Sequence, residues 1–225
     1  MLLCDIEGTT TAIAFVYETL FPYAARTLEP FLEAHVDDPA VTAACALVRA
    51  DATPDEAALG RDASVLAVVR RQMAGDVKAT GLKRLQGLIW QHGYATGAVR
   101  GQVFDDVPAV FATAHAGAGV AIYSSGSVLA QQLLFRHSVA GDLTPLIRAY
   151  FDTTTGPKQE ADSYRAIADA LDVATSAITF ATDRIEEAAA AAHAGCRAVV
   201  IMRPGNPPLR AGLPYEVHAD LRSLT

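Results

Sequence analysis

The chain has 225 residues, 51% hydrophobic and 19% charged, enough apolar material for one large domain or a core domain with a smaller insertion, and too much for wholesale disorder. Its formal net charge is −7, with no basic stripe, so neither nucleic acid nor an anionic membrane is expected as partner. Cys4, Cys45 and Cys196 lack metal-type spacing and suit a reducing compartment; with no basic leader and no 18-residue apolar run, a soluble cytoplasmic protein is expected.

The first element is "LLCD" (2–5), a short apolar run that ends on a carboxylate and is followed by Glu7, Gly8 and three threonines. From about Thr11 to Arg100 the patterns are helical: "YETLFPYAARTLEPFLEAHV", "VTAACALVRA", "ASVLAVVRRQMAG" and "LKRLQGLIWQHGY". A second apolar run, "VAIYSS" (120–125), is followed by the helical pattern "SVLAQQLLFRHS". The pattern "KQEADSYRAIADAL" leads to a third run, "AITFATD" (177–183). The helix "EEAAAAAHAG", stopped at Gly195, leads to a fourth, "RAVVIM" (197–202).

None of the four runs alternates polar with apolar, which is the pattern of parallel strands covered by helices on both faces. Strand, helix and strand with short joints make βαβ units, and their repetition predicts an α/β fold with a doubly wound parallel sheet. About ninety helical residues between the first two strands exceed what a crossover needs. The expected organisation is therefore a core domain of residues 1–10 and 101–225, carrying the active site, and an all-helical cap of residues 11–100 inserted after the first strand.

Ligands of open α/β sheets bind beyond the carboxyl ends of the strands. Those ends carry Asp5, Glu7 and Gly8, then Ser124, Ser125 and Gly126, then Asp183. Taken singly, an Asp or Ser after a strand most often caps a helix or makes a turn. Together they suit another role: two carboxylates beside a Gly-Thr-Thr loop, whose amides and hydroxyls would face an anion, match the oxygen ligands and shared phosphate of Mg²⁺. An aspartate attacking phosphorus also needs a hydroxyl or amides for the phosphoryl oxygens and a lysine for the remaining charge. Ser124 supplies the hydroxyl, the amides of 124–127 lie beside it, and Lys158 on its Gly-Pro turn is the lysine candidate.

The order of "DIEGTT", "IYSSGS", "GPKQEADSYRAIA" and "FATDRIEEAAAAAHAG" resembles the four motifs of the haloacid dehalogenase-like superfamily of aspartate-nucleophile phosphatases. More narrowly, "DIEGTTT", "FVYETLFPYA", "LQGLIWQHGY", "GQVFDDVPAVF", "YSSGSVLAQQLLF" and "RPGNPPL" are similar to the enolase-phosphatase (acireductone synthase) family of methionine salvage, over about residues 2–208. Glu7 stands where most of the superfamily has a second aspartate.

The resemblance implies Asp5 as nucleophile and metal ligand, and Glu7 as a metal ligand, through its backbone carbonyl, and as acid/base. Ser124 and Ser125 would bind the substrate phosphate, and Lys158 would clamp it. Asp183 would complete the metal site, with Glu186 or Glu187 behind it. It implies one Mg²⁺ per subunit, a monomer, and a small phosphorylated diketone substrate, 2,3-diketo-5-methylthiopentyl-1-phosphate, enolised and then dephosphorylated. Trp90, His92 and Tyr94 are candidates for substrate contact from the end of the cap, with a solvated helix position as the other reading of His92.

Gly117 and Gly119 precede a strand instead of following one, and no third glycine completes a dinucleotide fingerprint. A phosphomonoesterase of the same superfamily with another substrate, a dehalogenase and a phosphomutase share the expected fold. A receiver-like phosphoacceptor module also gathers Asp, Ser/Thr and Lys around Mg²⁺, but its acceptor sits on an internal strand and it lacks so large an insertion.

Overall fold

The computed structural model describes residues 1–75, 77, 79–210 and 212–224. The chain begins with strand β1 (Leu2–Cys4) and passes through a π-helical stretch, Phe15–Leu20, into helices α1 (Phe21–Ala34), α2 (Pro39–Ala50), α3 (Pro54–Ala57), α4 (Arg61–Ala74) and α5 (Thr80–Ala95). Helix α6 (Val107–Ala116) leads to β2 (Val120–Tyr123), α7 (Val128–Arg136) and β3 (Ile147–Phe151). There follow α8 (Ala161–Leu171), β4 (Thr179–Thr182), α9 (Ile185–His193), β5 (Arg197–Ile201) and β6 (Glu216–His218). No helix among the described residues is long and apolar enough to cross a membrane.

By its contacts the chain divides into two compact units, Met1–Tyr17 with Arg100–Thr225, and Glu18–Val99. In the first, six strands pair in parallel in the order β3-β2-β1-β4-β5-β6. The shortness of β1 is explained by its place. Leu3 lies between Ala121 of β2 and Phe180 of β4, so three residues suffice to anchor the middle of the sheet. Helices α8 and α9 cover one face, where Leu3, Tyr123 and Phe180 pack with Tyr164, Ile167, Leu171 and Ala191, all of them buried. The rings of Tyr123, Tyr164 and Phe180 meet edge to face, with centroids 5.6 and 5.0 Å apart. The alternate positions Cys4, Val120 and Ile122 are also fully buried, as period-2 alternation requires of a strand covered on both faces. Helix α6 packs against β2 and β3, and α7 against β3, with Phe111 and Phe135 in contact between them.

Two strands differ from the sequence reading. Residues 147–151, "IRAYF", form β3 at one edge of the sheet, with Arg148 exposed and three of its residues half-buried, so the run lacks the continuous apolar signature of the other four. At the other edge β6 is only Glu216–His218, mostly exposed. Both are edge strands, which bury one side and tolerate charge. The four recognised strands also end earlier than read, at Cys4, Tyr123, Thr182 and Ile201, which leaves Asp5, Ser124, Ser125 and Asp183 in the loops beyond them.

In the unit Glu18–Val99 the described residues form helices joined by turns, with no strand among them. Helix α2 is capped by Asp38, which accepts from the Ala40 amide at 2.7 Å, and α3 begins with a Thr53–Glu56 capping box. Helix α5 crosses α2 so closely at Gly81 that a Cβ there would lie 2.6 Å from the Val48 nitrogen. Trp90 and Tyr94 belong to this unit's own interior: Trp90 donates to the Leu20 carbonyl at 3.0 Å and stacks near Phe21. His92 is exposed and sets its ring edge-on to Phe31 and His35.

Candidate active site

Asp5 leaves β1 with its amide bonded to the Ala181 carbonyl of β4 at 2.9 Å and its side chain almost wholly buried. The chain then folds back on itself. The amides of Thr9, Thr10 and Thr11 all donate to the Ile6 carbonyl at 3.2, 3.0 and 2.9 Å, and the Gly8 amide donates to Thr11 at 2.7 Å. The Thr10 hydroxyl holds the Asp5 carbonyl and the Thr11 hydroxyl that of Gln102. The three threonines, none exposed to solvent, thus build the turn that presents Asp5. This corrects the reading of the Gly8, Thr9 and Thr10 amides as donors to an anion, since all three, like the Thr10 hydroxyl, are already engaged within the loop. Gly8 is required on two counts. Its φ is +76°, and a Cβ would lie 2.5 Å from Asp183 Oδ2.

Lys158 reaches Asp5 from the turn before α8. Its Nζ lies 2.5 Å from Asp5 Oδ1 and 2.7 Å from Glu187 Oε2, with all three side chains at least nine-tenths buried. Three hydroxyls fix this turn by consecutive carbonyls. Tyr123 donates to Gly156 at 2.8 Å, Ser163 to Pro157 at 2.7 Å and Tyr164 to Lys158 at 2.7 Å. The Thr182 hydroxyl, at the end of β4, donates to Glu187 at 2.8 Å.

Ser124 is fully buried at the end of β2; its Oγ donates to Glu7 Oε2 at 3.1 Å and accepts from the Gly126 amide at 3.1 Å. Ser125, half-buried, follows on the same loop. Gln131 of α7 ties that loop to β3 by donating to the Gly126 and Phe151 carbonyls, both at 2.8 Å. Ser127 serves as the N-cap of α7, accepting from Ala130.

Burial, then the Asp5 charge, push Asp183 up to about 7, and the same causes push Glu187 up to about 7 against the pull of Lys158. Glu7 is also raised, by burial and Asp5, with Lys158 and the Ser124 hydroxyl acting the other way. Burial works against the Lys158 charge, but Asp5 and Glu187 outweigh it and raise its pKa. Two carboxyl groups thus grip one ammonium, and two more, of Glu7 and Asp183, feel its charge.

Residues 1–195 match the haloacid dehalogenase-like hydrolases. The enolase-phosphatase E1 of Synechococcus elongatus is 45% identical, over 97% of this chain and 94% of its own. That of Drosophila persimilis is 44% identical, over 100% and 94%. The chain belongs to the enolase-phosphatase family. It is a hydrolase of phosphate monoesters. Among solved structures, the UTR4 protein of Saccharomyces cerevisiae superposes with a TM-score of 0.85 at 33% identity, covering 99% of this chain and 98% of its own.

The enolase-phosphatase site has room in its chemistry for a hard divalent cation. Its excess of buried carboxylate over ammonium favours one. Among the described residues no three Asp, Glu, His or Cys side chains converge as a ready-made cage, so main-chain oxygen and water would have to complete the shell. Of the carbonyls from Asp5 to Thr11, that of Glu7 alone accepts no hydrogen bond among the described residues. Asp5, Asp183 and the Glu7 carbonyl therefore make a fitting donor set, while the Glu7 side chain is engaged by Ser124.

Glu186 and Glu187, indistinguishable in sequence, part company here. Glu187 grips Lys158, whereas Glu186 is exposed and faces Arg184 at 3.5 Å. Several members of this enolase-phosphatase site escaped sequence reasoning: Tyr123, Ser163 and Tyr164 behind Lys158, Thr182 behind Glu187, and Asp106, Arg203 and Asn206 behind the Asp5 loop. The last three lie within "GQVFDDVPAVF" and "RPGNPPL", so the family motifs marked the segments without revealing what the residues touch.

Proposed function

We propose that the enzyme converts 2,3-diketo-5-methylthiopentyl-1-phosphate, in methionine salvage, to 1,2-dihydroxy-3-keto-5-methylthiopentene and phosphate. Asp5 is the nucleophile. Its carboxylate oxygen forms a bond to phosphorus as the ester oxygen leaves with its electron pair, and water then attacks the aspartyl phosphate to release phosphate and restore the carboxylate. The observation that carries this reading is the buried ammonium of Lys158 held between Asp5 and Glu187. It sets positive charge against the nucleophile, where an incoming phosphate would meet it.

Ser124 and Ser125 bind the phosphoryl oxygens, which requires the Ser124 hydroxyl to turn from Glu7 to the substrate. Glu7 is the acid/base. An enolate is a much weaker base than an alkoxide, so a longer, less strictly placed carboxylate than the usual aspartate serves for its departure. Asp5, Asp183 and the Glu7 carbonyl hold one Mg²⁺ per subunit. When bound, Mg²⁺ neutralises phosphate charge and polarises the diketone. Residues 11–100 act as a cap that selects the leaving group, and the enzyme works as a cytoplasmic monomer.

The test compares the diketone ester with p-nitrophenyl phosphate under identical Mg²⁺, following phosphate release together with the ultraviolet absorbance of the enol product. The diketone should turn over much faster, with an enol signal, and chelator should abolish both activities. Equal rates for the two esters, or phosphate release without the enol signal, would reduce the reading to a general phosphatase; activity that survives chelator would remove the metal.

A further inference from the structure

The segment after β5 reaches back across the sheet to the loop that carries Asp5. Asn206 donates from Nδ2 to the Gly8 carbonyl at 2.8 Å, and to the Ile201 carbonyl at 3.2 Å. Arg203, only 5% exposed, donates from Nε to the Thr9 carbonyl at 3.0 Å. Its remaining nitrogens are fixed by a two-pronged pair with Asp106, 2.9 Å on each side, and the guanidinium lies 4.2 Å from the centre of the Phe104 ring. Asp106 is anchored in turn by the Leu221 amide at 2.8 Å, and the Phe104 amide donates to the Thr10 carbonyl at 3.0 Å.

Three consecutive carbonyls, of Gly8, Thr9 and Thr10, are thereby held from outside the loop. A guanidinium already fixed by a buried carboxylate and an aromatic face is a rigid donor, because little of its rotamer freedom remains to be lost. The loop's own bonds close its turn but do not fix that turn to the sheet. The outside donors do so, immediately after the Glu7 carbonyl that they leave uncovered.

We infer that Arg203 and Asn206 are positioning residues of the reaction. They clamp the Gly8 and Thr9 carbonyls and so hold Asp5 and the Glu7 carbonyl in their working places. The inference rests on the reading of Asp5 as nucleophile, but its first measurement does not depend on that reading.

The test is amide hydrogen exchange across Asp5–Thr11 in Asn206→Ala and Arg203→Lys, without metal or substrate. Loss of one of the loop's outside hydrogen bonds should speed exchange of the Gly8–Thr11 amides about three- to tenfold, while strands β2 and β4 exchange as in the parent. Asn206→Ala avoids unpairing a buried charge, and Arg203→Lys keeps a cation beside Asp106, so both should fold. With Mg²⁺ and the diketone ester, kcat should fall about tenfold in each variant with KM within about twofold, because a displaced nucleophile weakens the transition state more than substrate binding. Unchanged loop exchange in both variants overturns the clamp whatever their activities. A loosened loop with unchanged kcat overturns its role in the reaction. Turnover by Asp5→Asn would remove the nucleophile reading separately, with the exchange result still standing.

Discussion

The two loops that meet at the Asp5–Lys158 pair are held in different ways. The lysine turn is gripped by neutral hydroxyls, two of which come from α8 directly after it. The aspartate loop is gripped by a guanidinium and an amide nearly 200 positions away, at sequence separations of 194 and 198. The first arrangement is mostly local and involves no buried charge beyond Lys158 itself. The second imports a charged pair, Arg203–Asp106, both side chains no more than 5% exposed. The contrast follows from position. Lys158 can be set by the helix it precedes, whereas Asp5 lies at the centre of the sheet, where its neighbours come from distant parts of the chain.

The largest expected effects lie where the loops meet. Asp5→Asn should keep the fold and lose nearly all turnover, since an amide cannot form the acyl phosphate; retention of a tenth of the parental rate would contradict the assignment. Lys158→Ala should lower kcat/KM on the order of 10²-fold, and Lys158→Arg should restore little, because a planar fork does not replace a compact ammonium between two carboxylates. Steady-state kinetics with the diketone ester decide both. Full rescue by arginine would show that the site needs charge alone.

A smaller effect separates the two ways of holding a loop. Arg203→Ala leaves Asp106 buried without its cation and should destabilise the fold by about 3–5 kcal/mol. Tyr164→Phe removes a neutral donor to Lys158 O and should cost about 1 kcal/mol. Urea unfolding of the two variants beside the parent measures the difference, and equal losses would erase the distinction between charged and neutral clamps.

The smallest effect is a slope. Asp183 and Glu187, raised to about 7, hold protons in the folded, metal-free protein that the unfolded chain has released at ordinary carboxyl values of roughly 4. Between those values the folded state binds more protons, so stability should fall as pH rises from about 4 to about 7. Thermal unfolding in chelator across that range reads the slope. A midpoint that rises with pH there, with the effect persisting in Asp183→Asn, would show that other groups dominate.

What sequence reading reached follows the same division. β1, β2, β4 and β5 are buried on both faces and announce themselves as continuous apolar runs, while β3 carries the exposed Arg148 and β6 is three mostly exposed residues. Asp5, Ser124 and Asp183 stand out because strand ends are where α/β sheets place ligands. Lys158 follows β3, the edge strand without a continuous apolar signature, and drew notice through its Gly-Pro turn and the family motif. The choice between Glu186 and Glu187 depends on which face of α9 turns inward, and adjacent residues in an alanine-rich helix give little sign of that. Arg203, Asn206 and Asp106 read as an ordinary loop and helix start, since only the paired sheet brings them to Thr9 and Gly8.

The central place of β1 also bears on how the protein is made. Its partners are β2 and β4, and the entire helical unit and α6 lie between it and the nearer of them in the chain. On the ribosome, Leu2–Cys4 emerges before both partners and waits unpaired while the helices of Glu18–Val99, which form a compact unit, can already pack. At about 5–20 residues per second that wait lasts several seconds or more. The segment bearing Asp5 is therefore synthesised well before its partners and is among the last to be paired. Three residues are a small adhesive surface to leave exposed in the interval, and a longer apolar strand in that place would give nascent chains more with which to associate.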